Sequence, residues 1–299
     1  MDQSRGLQVA AAMAVVYVVW GSTYLGIRVM VEALPPLLSA GLRFLLAGVL
    51  MLAWVGFKRL PLPRRRSDWG WLAATSALML VGANGMVTWA EQWVESNQAA
   101  LIVATSALWI AGLGSLGVQG IRVTRIALAG LVVGLIGVGV LVGEGLQLRQ
   151  APVSAYAAML VSPFLWALGA IVSKRKPAQC APLVAATLQV LMAGTVMTLL
   201  GLLNGDAERC SWSTRSLAAM AYLAVFGTCI AYACYYWLVH EVAPSTLGTH
   251  AYVNPAVAVL LGAWLLDEQL GPLQLAGTFI ILASVVIVNL APRWTRNRS

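Results

Sequence analysis

The sequence predicts an all-α integral membrane protein: ten transmembrane helices, arranged as two inverted five-helix repeats around a central cavity. Three observations predict it. First, hydrophobic residues fill 60% of the 299 positions and charged residues only 10%, with mean hydropathy +0.81. Soluble domains carry roughly 25% charge, and only lipid can take up this much apolar surface. Second, the apolar residues fall into ten stretches, each close to the ~20 residues a helix needs to cross a bilayer. Third, the last five stretches echo the first five. Trp20-Gly21-Ser22-Thr23, Arg28 and Arg43-Phe44-Leu45-Leu46-Ala47-Gly48 are answered by Trp166-Ala167-Leu168-Gly169, Lys174 and Gln189-Val190-Leu191-Met192-Ala193-Gly194. An odd number of spans per repeat turns the second copy upside down, the arrangement of many secondary transporters.

In chain order, spans are expected near 9–30, 37–57, 69–90, 98–117 and 125–143, making a first repeat within 1–147. A second repeat within 152–299 holds spans near 152–173, 182–203, 216–239, 245–266 and 273–291. Every connection is short, so no separate soluble domain is expected. The N-terminal stretch has one Arg before a full-length span, which reads as a retained helix and not a cleaved signal. Lys58 to Asp68, with Pro61 and Pro63, is a turn; so is Lys174-Arg175-Lys176-Pro177. Asn204 to Arg215 is the longest loop on the other side, and Gln147 to Pro152 joins the halves.

The net charge of +8 invites a nucleic-acid reading, but its placement argues for a membrane. With both termini in the cytoplasm, Arg5, Lys58, Arg59, Arg64, Arg65, Arg66, Arg122, Arg125, Lys174, Arg175, Lys176, Arg293, Arg296 and Arg298 face inside. Only Arg28, Arg149, Arg209 and Arg215 face outside. The opposite orientation reverses this split, so the positive-inside rule sets the topology. The basic runs then serve orientation and contact with anionic lipid.

Cys180, Cys210, Cys229 and Cys234 have neither metal-ligand nor CxxC spacing, so neither a metal site nor a disulfide framework is expected. No Walker A sequence is present, and no cofactor is expected. In the fifth span Gly130 and Gly134, then Gly137, Gly139 and Gly143, allow close helix approach. They serve either packing within the chain, which leaves a monomer, or the face of a weak homodimer.

Trp20-Gly-Ser-Thr-Tyr24, Arg43-Phe44, Asn84-Gly85-Met86 with Glu91, Ala243-Pro244-Ser245, and Tyr252-Val253-Asn254-Pro255 leading to Gly262 and Glu268 together resemble the drug/metabolite transporter superfamily, EamA type. The likeness runs over essentially the whole chain, and is nearest to bacterial inner-membrane exporters. It implies a ten-helix carrier with a cavity between its halves, usually exporting small metabolites or amphiphilic drugs. Where the family usually has Pro, the first repeat carries Glu95 and the pair Ala107-Leu108; where it usually has Glu-Arg, Ile121-Arg122 stand. The fourth span is therefore expected to be straighter than in its relatives.

The residues able to bind cargo are few. Trp54, Trp69, Trp71, Trp93, Trp212, Trp264 and Trp294 lie near span ends and suit the interfacial belt. Trp20, Trp109 and Trp166 fall near mid-membrane, where an indole N–H needs a partner; they face a cavity or pack between helices. Arg43 is the one basic residue well inside a span, at about 2.5–3.5 kcal/mol if central. It holds a substrate carboxylate, pairs with Glu91, or anchors to backbone carbonyls. Glu91, Glu241 and Glu268 lie near span ends, so no mid-span carboxylate relay is visible. Proton coupling, if present, would fall to His250, which titrates near neutrality or stays neutral and bonded. Tyr24, Asn84, Trp89, Tyr232, Tyr252 and Asn254 complete the expected substrate-binding set. Pro255 frees a carbonyl one turn earlier, so a kink there is the expected moving element.

This inventory fits a neutral or zwitterionic organic cargo, amino-acid-like or heteroaromatic, better than a metal cation, which would want acidic groups or a carbonyl ring. No catalytic residue is expected. An intramembrane protease needs a Gly-x-Ser-Gly setting, and Gly114-Ser115-Leu116 is not one; His250 has no evident partner. Prenyl transfer needs paired Asp-rich motifs, and there are none. A channel is disfavoured by the inverted repeat.

Overall fold

The structure, a computed structural model, describes residues 3–114, 126, 129–130, 132–134, 136–137, 139–140, 151–242, 247, 250–269 and 271–296. These residues form helices and short connections, with no strand among them. In lipid a helix bonds its own N–H and C=O groups, which is why an apolar chain of this kind folds this way. The helices are α1 (Gln3–Val31), α2 (Pro36–Phe57), α3 (Arg66–Ala90), α4 (Ser96–Gly114), α5 (Val153–Arg175), α6 (Pro182–Leu203), α7 (Thr214–Glu241), α8 (His250–Leu265) and α9 (Pro272–Arg296). The first seven are long and apolar enough to cross a membrane. Inside α8 and α9, Val253–Leu265 and Leu275–Ser284 are shorter apolar segments at the places of the expected ninth and tenth spans. Most of the expected fifth span lies outside the described residues, as do Ile121, Arg122, Gly143 and Ala243-Pro244-Ser245.

A single separation of 146 residues relates the halves. It takes Trp20 to Trp166 and Gly48 to Gly194 in sequence. In the structure it takes the start of α2 at Pro36 to the start of α6 at Pro182, and the end Phe57 to the end Leu203. It also relates two π-helical segments inside the third helix of each half, beginning at Ala77 and at Leu223. Wide turns of this kind recur at functional sites, because they offset the residues that follow.

α2 and α6 run antiparallel and pack along their length. A Cβ on Gly48 would stand 2.5 Å from the Leu191 side chain, and one on Gly194 would stand 2.7 Å from the Leu45 backbone nitrogen. Gly41 meets Thr198 and Gly201 meets Leu38 in the same way. Leu45 and Leu191 are themselves 146 residues apart, so the two contacts are repeat-related copies of each other. The opposite faces of these helices carry Leu46, Val49, Leu50 and Leu52, and Val196, Leu199, Leu200, Leu202 and Leu203, all exposed. Apolar faces of this extent need a nonpolar surrounding. Trp54, Trp69, Trp71, Trp93, Trp212 and Trp264 are likewise 37–78% exposed, as an interfacial belt requires.

Although it has no proline, α4 is interrupted: it breaks into Ser96–Val103 and Ser106–Gly114. The tight bonds Thr105 N to Ile102 O (3.1 Å) and Leu108 N to Thr105 O (2.9 Å) replace α-helical ones there, and the Thr105 hydroxyl donates to the Ile102 carbonyl at 2.6 Å. A side-chain hydroxyl that competes for local carbonyls loosens a helix without any proline. In the fifth-span region, Gly134 abuts Leu108 and Ser284, and Gly137 abuts Ile280 and the Gly277 carbonyl.

Candidate functional site

The helices enclose a cavity holding about 780 Å³ of space free of protein atoms, part of it continuous with the exterior. Seven of the helices contribute walls, α4 among them: α1 supplies Trp20, Thr23 and Tyr24; α2 Arg43 and Phe44; α3 Leu80, Ala83 and Asn84; α5 Ser162 and Trp166; α7 Thr228 and Tyr232; α8 His250 and Asn254. Val103 and Ser106 of α4 flank its break and reach the same space.

At the centre stand the two repeat-related indoles. Trp20 and Trp166 meet edge to face with ring centroids 5.4 Å apart. Each N–H is satisfied: Trp20 Nε1 donates to the Gly227 carbonyl at 3.1 Å, and Trp166 Nε1 donates to the Tyr235 hydroxyl at 3.0 Å. The Tyr235 ring lies 4.6 Å from Trp20. With their N–H groups satisfied, the parts of the two rings that line the cavity present carbon surface to it.

Arg43 is 3% exposed. Its Nη2 donates to Asn84 Oδ1 at 2.6 Å, and its guanidinium lies 4.5 Å from the Phe44 ring centroid. Its Nε has no hydrogen-bond partner. Among the described residues no ion pair joins Arg43 to Glu91. Asn84 is the last residue of the first π segment. The other half repeats the pattern with neutral groups: Gln189, the counterpart of Arg43, accepts from the Tyr232 hydroxyl at 2.5 Å, and Tyr232 ends the second π segment. Gln189 Nε2 in turn donates to Thr75 at 2.6 Å. The two halves therefore build the same crossing of second on third helix, charged in one and neutral in the other.

His250 is buried, with Nδ1 2.7 Å from the Leu247 carbonyl, and its ring sits 6.0 Å from Trp20. Asn254 turns its amide nitrogen to the carbonyls of Tyr17 and His250, each at 3.1 Å.

Of the residues expected from sequence, Trp20, Tyr24, Arg43, Asn84, Trp166, Tyr232, His250 and Asn254 share this cavity. Trp89 and Trp109 do not line it: Trp89 packs on Trp93 at 5.1 Å, and Trp109 packs on Phe164 at 5.3 Å. The Tyr252 side chain lies outside the described residues. Sequence reasoning missed Thr23, Phe44, Ser106, Ser162 and Thr228, small or apolar residues with no signal of their own. Gln189 was recoverable, because it stands at the repeat position of Arg43.

Apolar outer faces around an internal cavity lined by aromatic rings, amides and one guanidinium define a multi-pass membrane transporter. The model of the EamA-like transporter family matches the chain twice, over residues 8–143 and 153–290, and the chain belongs to that family. It is 35% identical over 285 residues to a protein of Escherichia coli named uncharacterized inner membrane transporter YedA, covering 95% of this chain and 91% of that one. It is 29% identical over 282 residues to a probable amino-acid metabolite efflux pump of Salmonella typhimurium, covering 91% of each. A solved crystal structure aligns with TM-score 0.72 at 19% identity, over 96% of this chain and 98% of that one; that likeness concerns the fold.

Proposed function

We propose that this protein is a secondary exporter of small organic metabolites, amino-acid-like or heteroaromatic, acting by alternating access in the bacterial inner membrane with both termini in the cytoplasm. The observation that carries the reading is Arg43: a buried guanidinium on the cavity wall with one N–H unpartnered, set in a chamber of aromatic rings. A carboxylate is the natural acceptor for that N–H, and the rings of Trp20 and Trp166 offer a planar cargo a surface to lie on. The two related proteins named for the inner membrane and for amino-acid metabolite efflux support the location and the cargo class. Ten spans in two inverted five-helix repeats, 1–147 and 152–299, are the architecture proposed. The double family match and the constant separation of 146 residues support it, and rocking of two such halves is how carriers of this design alternate access.

Counterflow tests the reading. Purified protein in liposomes preloaded with unlabelled amino acids, one at a time, is expected to accumulate the same labelled amino acid transiently. A channel equilibrates the label without overshoot. No overshoot across amino acids and heteroaromatic metabolites would sink the carrier reading.

A further inference from the structure

Glu91 follows the last residue of α3, at a span end by sequence, yet none of its surface is exposed and neither carboxylate oxygen has a hydrogen-bond partner. Its neighbours come from several elements. Arg28 of α1 donates to the Glu91 main-chain carbonyl at 2.5 Å, not to the carboxylate. Tyr24 of α1 and Arg43 of α2 act on it electrostatically and also stand on the cavity wall. Glu268, from the turn after α8, adds a like charge, itself committed to the backbone N–H groups of Ser96 and Asn97. Glu95 is the nearest acid in the chain. A buried carboxylate with no hydrogen bond and a second carboxylate nearby is unfavourable as an anion; a proton relieves both problems. The two cations that act on Glu91 are thus both engaged elsewhere, Arg28 with the main-chain carbonyl and Arg43 with Asn84.

We infer that Glu91 is the proton-carrying group of this transporter, neutral while Arg43 bonds Asn84 and ionised when Arg43 turns to it. On ionisation the carboxyl O–H bond breaks and water takes the proton; on the opposite side of the membrane water returns one and Arg43 goes back to Asn84. Only inward proton flow releases energy for outward transport, so the exchange is proton against cargo. This rests on the export reading above, and it places the coupling role on a buried acid that acts on two residues of the cavity wall, Tyr24 and Arg43, and not on His250.

Infrared difference spectroscopy on the purified protein tests the proton site without knowing the cargo. At about neutral pH, wild type is expected to show the carbonyl stretch of a neutral carboxylic acid. Glu91→Gln should remove that band, Glu91→Asp should keep a shifted one, and Glu95→Gln should leave it in place. Unchanged melting temperatures would exclude misfolding as the cause. A band that persists in Glu91→Gln, or that is absent from wild type, overturns the proton site. In liposomes holding a pH-sensitive dye and a mixture of the common amino acids, wild type should admit protons as cargo leaves and Glu91→Gln should not. Counterflow without proton entry in wild type would overturn the coupling while leaving export standing; loss of counterflow itself would overturn export.

Discussion

Trp20 and Trp166 occupy the same position in the two halves of the chain, and the fold brings their rings edge to face at 5.4 Å. Two residues related by a repeat touch each other only where the halves meet. This contact therefore marks the seam, and the cavity opens beside it. Edge-to-face pairs contribute ~0.5–1.5 kcal/mol beyond area burial. Trp20→Ala and Trp166→Ala should each weaken cargo binding roughly tenfold, about 1.4 kcal/mol, read as the half-saturating concentration in counterflow. The double variant should show coupling between the two sites in a thermal-melting cycle. Wild-type saturation in both single variants would remove the rings from the binding surface.

Arg43 gives a graded prediction. Arg43→Ala leaves Asn84 Oδ1 without its 2.6 Å donor and removes the guanidinium. Arg43→Lys keeps a charge but not the planar fork that reaches Asn84 and cargo together. Transport should fall about tenfold or more in the Ala variant and less in the Lys variant, corresponding to the ~1.5–3 kcal/mol of a charged hydrogen bond. Equal wild-type rates in both, at equal membrane abundance, would reduce Arg43 to a structural anchor.

The α2–α6 contact predicts an asymmetry between two glycines. In Gly194→Ala the new methyl meets backbone, 2.7 Å from Leu45 N and 3.0 Å from the Phe44 carbonyl carbon. In Gly48→Ala it meets the Leu191 side chain at 2.5 Å, which can turn aside. Gly194→Ala should cost ~1–3 kcal/mol as overpacking, despite the ~1 kcal/mol that Ala gains over Gly in a helix. Gly48→Ala should cost less. Melting temperatures of the purified variants in one detergent decide the order.

Glu268 caps α4 across the bundle. Its carboxylate accepts from Ser96 N at 2.9 Å, Ser96 Oγ at 2.7 Å and Asn97 N at 3.1 Å, where a helix N-terminus favours negative charge. Glu268→Ala leaves these buried donors unmet and should destabilise by ~1–3 kcal/mol. Glu268→Gln, which can still accept, should lose less. A Gln variant as unstable as the Ala variant would mean that charge, not hydrogen bonding, holds the cap.

The split of basic residues predicts cytoplasmic termini. A C-terminal fusion to a reporter that matures only in the cytoplasm should be active, and a periplasm-dependent reporter should be silent. The reverse pattern would invert the topology.

Much of the fold could be read along the chain. α2 and α6 begin and end at residues 146 apart, and the expected spans 37–57 and 182–203 matched both because a bilayer fixes helix length and Pro36 and Pro182 sit where a helix can start. The aromatic and amide composition of the site was legible too, since Trp20, Trp166, Arg43 and Asn84 are conspicuous in apolar surroundings. Depth alone could not say which way a side chain faces. Trp109 and Trp20 both lie near mid-span, yet one packs on Phe164 and the other lines the cavity. Nor could it foresee the break in α4, where the Thr105 hydroxyl and not a proline interrupts the ladder.

The sequence by itself determined the membrane character, the helix lengths, the internal echo and the chemical types available to the site, because each follows from hydrophobicity and spacing along one chain. The tertiary structure alone decided which of those residues share a space. Glu91 is the plainest case. By position it is a span-end acid, free to reach water; in the fold it is fully buried, Arg28 of α1 bonds its main-chain carbonyl, and no oxygen of its carboxylate finds a donor. Burial is a property of what packs against a residue from elsewhere in the chain, and those neighbours, 63 residues before it in Arg28 and far after it in Glu268, leave no mark on the local sequence.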